Sequence, residues 1–250
     1  MFKIIRNTNN NLSAGLLYNL LSAHSHTFHK VVDFNPEKEK LFYLDFTDSN
    51  KELDNIDFAD TEIFTSYIKD KLKKPKAKFG IGGYNENRIL YKHSNLFSTF
   101  PGIESEFGDG GRTLHLGIDI WGEAGTKIYA PLGGMVHSFA FNNNFGDYGA
   151  TIILSHQLEG TSFYTLFGHL SLNDITPLHE GYYISRGQEF AHFGNEKENG
   201  HWPPHLHFQL ISEIGVYEGD YPGVCKYSER QKFLSNSPDP DIVLGLMQYL

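Results

Sequence analysis

The sequence predicts a mainly β protein: an antiparallel sheet or sandwich preceded by a small α+β region. Three observations carry that reading. From about residue 100 the chain breaks into short β-type runs divided by Gly, Pro and Asn turns, with no convincing helical period between them. Aromatics are abundant, with 20 Phe and 14 Tyr, and 25 glycines supply tight turns. Residues 1 to about 90 instead alternate helical and strand periods. The expected division is residues 1–95 for the α+β region, 96–215 for the β domain and 216–250 for a C-terminal extension packed on it.

In the first region, Leu12, Leu16, Leu17, Leu20 and Leu21 fall on one face of a helix. Lys3 and Arg6 precede this stretch, as charges precede a secretion signal. Its apolar part is short, however, and interrupted by Tyr18 and Asn19. The stretch therefore reads as a helix, which makes the cytoplasm the default expected location and leaves an exported form open. "KLFYLDF" (40–46) reads as a strand. A second helix follows Asp60, with Ile63, Phe64, Tyr67, Ile68 and Leu72 expected on its buried stripe. The lysine-rich "KDKLKKPKAK" after it reads as a solvated helix end, where cations complement the dipole before Pro75 stops the helix. A phosphate-binding patch is the weaker alternative. "GIGGYNENR" (80–88) lacks the spacings of a phosphate loop and reads as a loop leading into the β domain.

The strands of that domain are expected at "KIYAPL", "GMVHSFAF", "ATIILSH", "SFYTLFGHL", "EFAHFG" and "HLHFQLI", with "FNNNFGDYG" as a hairpin or loop between two of them. The tail from 216 reads as turns followed by a short terminal helix.

Composition excludes several functions. A formal charge of −9 does not suit nucleic-acid binding. The single cysteine, Cys225, rules out an internal disulfide and cysteine-rich zinc modules. No apolar run approaches the ~18 residues that a membrane span needs. Any metal must therefore be held by histidine and carboxylate.

The residues for such a site are present. In "GHWPPHLHFQL" (200–210), His205 and His207 alternate with Leu206 and Phe208. Both imidazoles then leave one face of a strand, about 6–7 Å apart. Upstream, "RTLHLGIDIW" carries His115 and Asp119. In a straight strand these would stand roughly 13 Å apart, too far to share an ion that binds at ~2 Å. The chain must bend between them, and Gly117 is where a bend costs least. His115, Asp119 and one histidine of the later pair then make a three-ligand site with a fourth position open, as in catalytic zinc. The other histidine of the pair would lie within reach of the metal-bound water. His169, in "FYTLFGHLS", is a further candidate.

These residues carry a family resemblance. H-x-x-x-D, then G-H-L-S, then H-L-H-F at the end of a glycine-turned β region resembles the lysostaphin-type zinc endopeptidases, which cut peptidoglycan peptide cross-links. "GTKIYAPLGGMV", "YGATIILSH" and "ISRGQEFAHFG" resemble that family's strands in order. The resemblance spans about residues 100 to 213. It implies one Zn²⁺ per chain held by His115, Asp119 and His207. It also implies that His169 and His205 flank the metal-bound water as catalytic residues. The partner it implies is a peptide or peptidoglycan-fragment substrate. One departure is that Trp202, Pro203 and Pro204 stand where the family has small residues, often Thr-Gly.

Trp202 is placed to wall the substrate groove, and Arg112 and Tyr164 fall close enough to the motifs to contact substrate. His156 reads as a packing residue, with a hydrogen bond toward the site as the weaker alternative. His137, His179, His192 and His201 read as structural or surface. A cupin also holds metal with H-x-H, but there the pair comes first and a glutamate follows; here the pair comes last and Gln209 follows. Two alternatives stay open: a metal-bound but silent peptide- or glycan-binding module, and a hydrolase of a non-peptidoglycan amide. The oligomeric state is not legible.

Overall fold

The structure, a computed structural model, describes residues 14–93 and 111–250. Lys3, Arg6 and Leu12 lie outside the described residues. The leucine-rich stretch forms α1 (Ala14–His24). Leu17 and Leu21, one turn apart, are buried, while Leu16 is exposed. The buried stripe is therefore narrower than the five-leucine face. β1 (Leu41–Leu44) follows. α2 (Thr61–Lys73) begins at Asp60, whose carboxylate accepts from the backbone N–H groups of Glu62 and Ile63. Those donors would otherwise be left open at a helix start. α2 buries Phe64 and Ile68, whereas Ile63 is exposed.

The glycine-rich stretch expected as a loop instead begins as a buried strand, β2 (Phe79–Gly82), parallel to β1. Its glycines make room for neighbours. A Cβ at Gly80 would lie 2.4 Å from Leu44 Cδ1, and one at Gly82 would lie 2.6 Å from Arg88 Nη2. The first glycines thus mark close packing over a strand, and the turn comes only at Tyr84 and Asn85.

The β domain adds β3 (Leu114–His115), β4 (Ile118–Trp121), β5 (Lys127–Tyr129), β6 (Gly134–Asn142), β7 (Gly149–Leu158) and β8 (Thr161–Leu170). After the single-turn α3 (Leu172–Ile175) come β9 (Tyr183–Ile184), β10 (Glu189–His192), β11 (His205–Ile211) and β12 (Val224–Cys225), then α4 (Arg230–Leu234) and α5 (Asp241–Leu244). Each of the six expected strands has its counterpart. β12, only two residues long, is too short to show a period.

One eight-stranded sheet runs β1-β2-β4-β11-β8-β7-β6-β9, with β10-β5 and β12-β3 as two-stranded sheets. The molecule is mainly β with a small α+β region, as the sequence predicts. That region's strands continue the main sheet, because β2 pairs antiparallel with β4.

Alternation gives the centre of the sheet two distinct faces. Ile118, Ile120, Phe167, Leu206, Phe208 and Leu210 pack in the main core with Leu17 and Leu21 of α1. Asp119, Trp121, His205 and His207 take the opposite face. There Trp121 and Trp202 join a second cluster with Phe46, Phe64 and Leu90. Among the described residues, no helix is long and apolar enough to cross a membrane.

Candidate metal centre

Strand register assembles the centre. His207 is the cross-strand partner of Asp119, and His205 of Trp121. β3 ends at His115 and β4 begins at Ile118, so the chain bends at Leu116 and Gly117 as the spacing requires. The bend hands β3 to β12 while β4 stays in the main sheet. His115, Asp119 and His207 thereby converge as a buried cluster able to hold a metal ion, with one ligand atom from each within 4.8 Å of the others.

Hydrogen bonds settle which nitrogens point inward. His115 Nδ1 lies 2.9 Å from the Gly83 carbonyl, which can only accept, so Nδ1 carries the proton and Nε2 is a lone pair. The Gln209 amide donates to the Pro222 carbonyl at 3.2 Å and to Ser237 Oγ at 3.1 Å. Its Oε1 therefore accepts from His207 Nε2, 3.0 Å away, leaving His207 Nδ1 as the lone pair. His115 Nε2 and His207 Nδ1 then face each other at 2.9 Å, with Asp119 Oδ1 at 3.3 and 3.1 Å from them. Three proton-free donors cannot stay this close without a shared cation or an added proton. Two imidazoles and a carboxylate, each anchored from behind, fit a divalent metal.

Asp119 Oδ2 is taken by the guanidinium of Arg88. Burial would raise the Asp119 carboxyl, but the neighbouring His115 and Arg88 outweigh it and hold the group well below the usual carboxylate range. Burial pushes His115 down to about 4, reinforced by Arg88 and opposed by Asp119. Both directions leave His115 and Asp119 in their ligating protonation states at neutral pH.

Two further imidazoles stand beside the cluster. His205 Nδ1–H donates to the Pro203 carbonyl at 2.8 Å, and His169 Nδ1–H to the Asn199 carbonyl at 2.8 Å. Each therefore keeps Nε2 as a free acceptor. The His205 ring stacks on Trp121 with centroids 3.8 Å apart, and His169 lies 4.0 Å from His205. Burial pushes His205 down to about 4 and His169 well below its ordinary value.

His169 reaches this face through a β-bulge. Ile152 pairs with Phe167 and Ala150 with Leu170, so β8 holds one residue more than β7 between those pairs. Without the bulge His169 would share the core face with Phe167. With it, His169 adopts φ 63°, a left-handed backbone uncommon for histidine and typical of functional positions.

A cavity of about 330 Å³ opens on the cluster, lined by Asp119, His169, His205 and His207 with Trp202, Arg112 and Tyr148 among its other walls. Trp202 faces both ways. Its indole N–H donates to the Asp147 carbonyl at 3.2 Å, while the ring meets Phe64 of α2 edge-on at 6.1 Å. Tyr164 lies elsewhere, packed beside Ile153, Leu166 and Ile211. His156 is buried away from the cavity, donating to the Gly133 carbonyl and hydrogen-bonded to Thr165.

Sequence reasoning missed Tyr148, Asn199, Gly83, Glu86 and Arg88. Tyr148 stands in the quoted "YGATIILSH" run, but its reach is tertiary: its hydroxyl lies 3.4 Å from His207 Nε2. Asn199 has no motif; its side-chain amide holds the Trp202 backbone from both sides, at 3.0 and 2.9 Å.

His115, Asp119 and His207 thus form a candidate metal centre, and His169 and His205 stand beside it on the same cavity. In keeping with this, the sequence profile of Peptidase family M23 matches residues 113–217, a span that contains His115, Asp119, His169, His205 and His207. The family match and the candidate metal ligands thus fall in the same span of the chain.

Solved structures similar to this chain include a candidate peptidase M23 from Pseudomonas aeruginosa (24% identity, 52% of this chain and 44% of that one, TM-score 0.35). A zinc-containing peptidase from Vibrio cholerae is similar too (22% identity, 47% and 34%, TM-score 0.32). So is the catalytic domain of lysostaphin from Staphylococcus simulans (23% identity, 54% and 88%, TM-score 0.34). The chain spans less than half the length of the first two. No curated protein matches it.

Proposed function

We propose that this chain is a zinc-dependent endopeptidase that hydrolyses an amide bond in peptides of the peptidoglycan cross-link type. One observation carries the reading: the lone pairs of His115 and His207 and one oxygen of Asp119 converge beside two imidazoles whose Nε2 atoms are free. The nitrogen and oxygen donor set without thiolate suits zinc among the common metals. A bound zinc ion would supply Lewis acidity and would lower the pKa of water toward ~7.

The protein's own groups do the rest. His115, Asp119 and His207 would hold the ion. His169 and His205 enter the reaction neutral, each with Nδ1–H locked on a backbone carbonyl. Each Nε2 can therefore take a proton from the attacking water and pass it to the leaving amine. Once protonated, the same nitrogen is a donor for the oxyanion. Trp202, Tyr148 and Arg112 line the cavity that would orient the peptide.

Metal analysis with a peptide panel tests the reading. The purified chain should hold one equivalent of zinc, cleave a cross-link-type peptide and lose both properties in His207→Ala. Stoichiometric zinc without cleavage of any panel member would favour a silent binding module. Cleavage restricted to unrelated amides would move the substrate outside peptidoglycan.

A further inference from the structure

Arg88 lies outside residues 113–217, at the end of the "GIGGYNENR" stretch expected as a loop, yet its guanidinium reaches the metal cluster. Nη1 donates to Asp119 Oδ2 and, at 3.1 Å, to the Tyr91 hydroxyl. Nε donates to Glu86 Oε2 at 2.7 Å. Nη2 lies 3.3 Å from the Gly83 carbonyl, the same oxygen that accepts from His115 Nδ1. The Arg88 side chain is 1% exposed. Glu86 is anchored in turn by the Tyr43 hydroxyl at 2.9 Å.

The segment carrying these groups is laced along the ligand strand. Asn85 N–H donates to the His115 carbonyl, His115 N–H to the Glu86 carbonyl and Arg88 N–H to the Thr113 carbonyl, each at 2.9 Å. A guanidinium so deeply buried is costly, and an ion pair made only for stability could be replaced by apolar residues at little loss. Arg88 does something an apolar residue cannot: it occupies one oxygen of Asp119 and leaves the other facing the two imidazoles.

We propose that Arg88 is a positioning residue for the metal centre. It turns Asp119 so that Oδ1 alone faces His115 and His207, and it shares with His115 the carbonyl that fixes the imidazole tautomer. The α+β region is then a working part of the centre and not a cover over it. This rests on the reading above that the cluster holds a divalent ion.

Full-length wild type, Arg88→Gln and Arg88→Lys are compared for Zn²⁺ affinity by chelator competition and for visible absorption when loaded with Co²⁺. Charge alone predicts that removing a cation beside a cation site tightens binding. Positioning predicts the reverse. Arg88→Gln is expected to lose about 10–100-fold in affinity, the usual cost of losing a group that orients a ligand, with an altered Co²⁺ spectrum.

Arg88→Lys keeps the charge but cannot bridge Asp119, Glu86 and Gly83 at once, so an intermediate loss is expected. Arg88→Gln that binds Zn²⁺ as tightly as wild type, or more tightly, overturns the proposal. If Arg88→Gln does not fold, Arg88→Lys decides: wild-type affinity and spectrum in it overturn the proposal equally. A wild type that takes up no ion removes the metal reading and this inference together. A wild type with one equivalent beside unaffected variants removes this inference alone.

Discussion

Gly117 lies against the imidazole of His207: a Cβ built at 117 would stand 2.5 Å from His207 Cε1 and 2.8 Å from the Phe208 carbonyl oxygen. The glycine that bends the chain between His115 and Asp119 therefore also admits the third ligand. Gly117→Ala must displace the His207 ring or strain β11. Zinc affinity is expected to fall about 10–100-fold, read by chelator competition. Wild-type affinity would show that the bend matters only for the backbone.

His169→Ala and His205→Ala are expected to keep one equivalent of zinc and to lose turnover by roughly 10²-fold or more, with smaller changes in substrate binding. Neither side chain is part of the converging cluster. Elemental analysis beside kcat checks both halves. Loss of zinc in either variant would exchange its role with that of a ligand.

Trp202 is 9% exposed and touches Phe64 as well as the cavity, so its removal should act twice. Trp202→Ala should cost about 3 kcal/mol, as large core truncations do. For a chain of this size that lowers Tm by roughly 10 °C. It should also broaden the range of amides cleaved. An unchanged Tm would refute the packing role, and unchanged selectivity would refute the wall.

His156 offers a pH test away from the metal. Burial pushes its pKa down to about 4, partly opposed by the hydrogen bond to the Gly133 carbonyl. Unfolded, the imidazole titrates near its ordinary 6.5. Between these values the unfolded chain binds the proton and the native one does not, so stability falls as pH falls through this window. Comparing urea unfolding at pH 7 and 4.5, His156→Gln should lose about 2 kcal/mol less than wild type. Equal losses would mean that His156 is protonated in the native state.

Local period was enough for the elements that carry the site, though not for the width of every buried stripe, since Leu16 and Ile63 are exposed. The alternation around His205 and His207 placed two imidazoles on one face, and β11 carries them so. The distance between His115 and Asp119 required a bend, and the chain breaks there between β3 and β4. The position after Asp60 and the period of Ile63, Phe64, Tyr67, Ile68 and Leu72 marked α2, of which Phe64 and Ile68 are buried.

Tertiary structure decided what period cannot encode. The bulge in β8 turns His169 off the core face by one extra residue, a shift invisible in "FGHL" itself. The glycines of β2 read as a loop because the Leu44 and Arg88 side chains that need their space come from other parts of the chain. Arg88, Gly83 and Tyr148 stand in quoted stretches that carry no sign of their role, because each meets the centre across the fold, as the Asn199 carbonyl meets His169. Hydrogen bonds and buried charge pairs are fixed by distances in space, and a linear pattern holds no record of which distant residues the sheet brings within 3 Å.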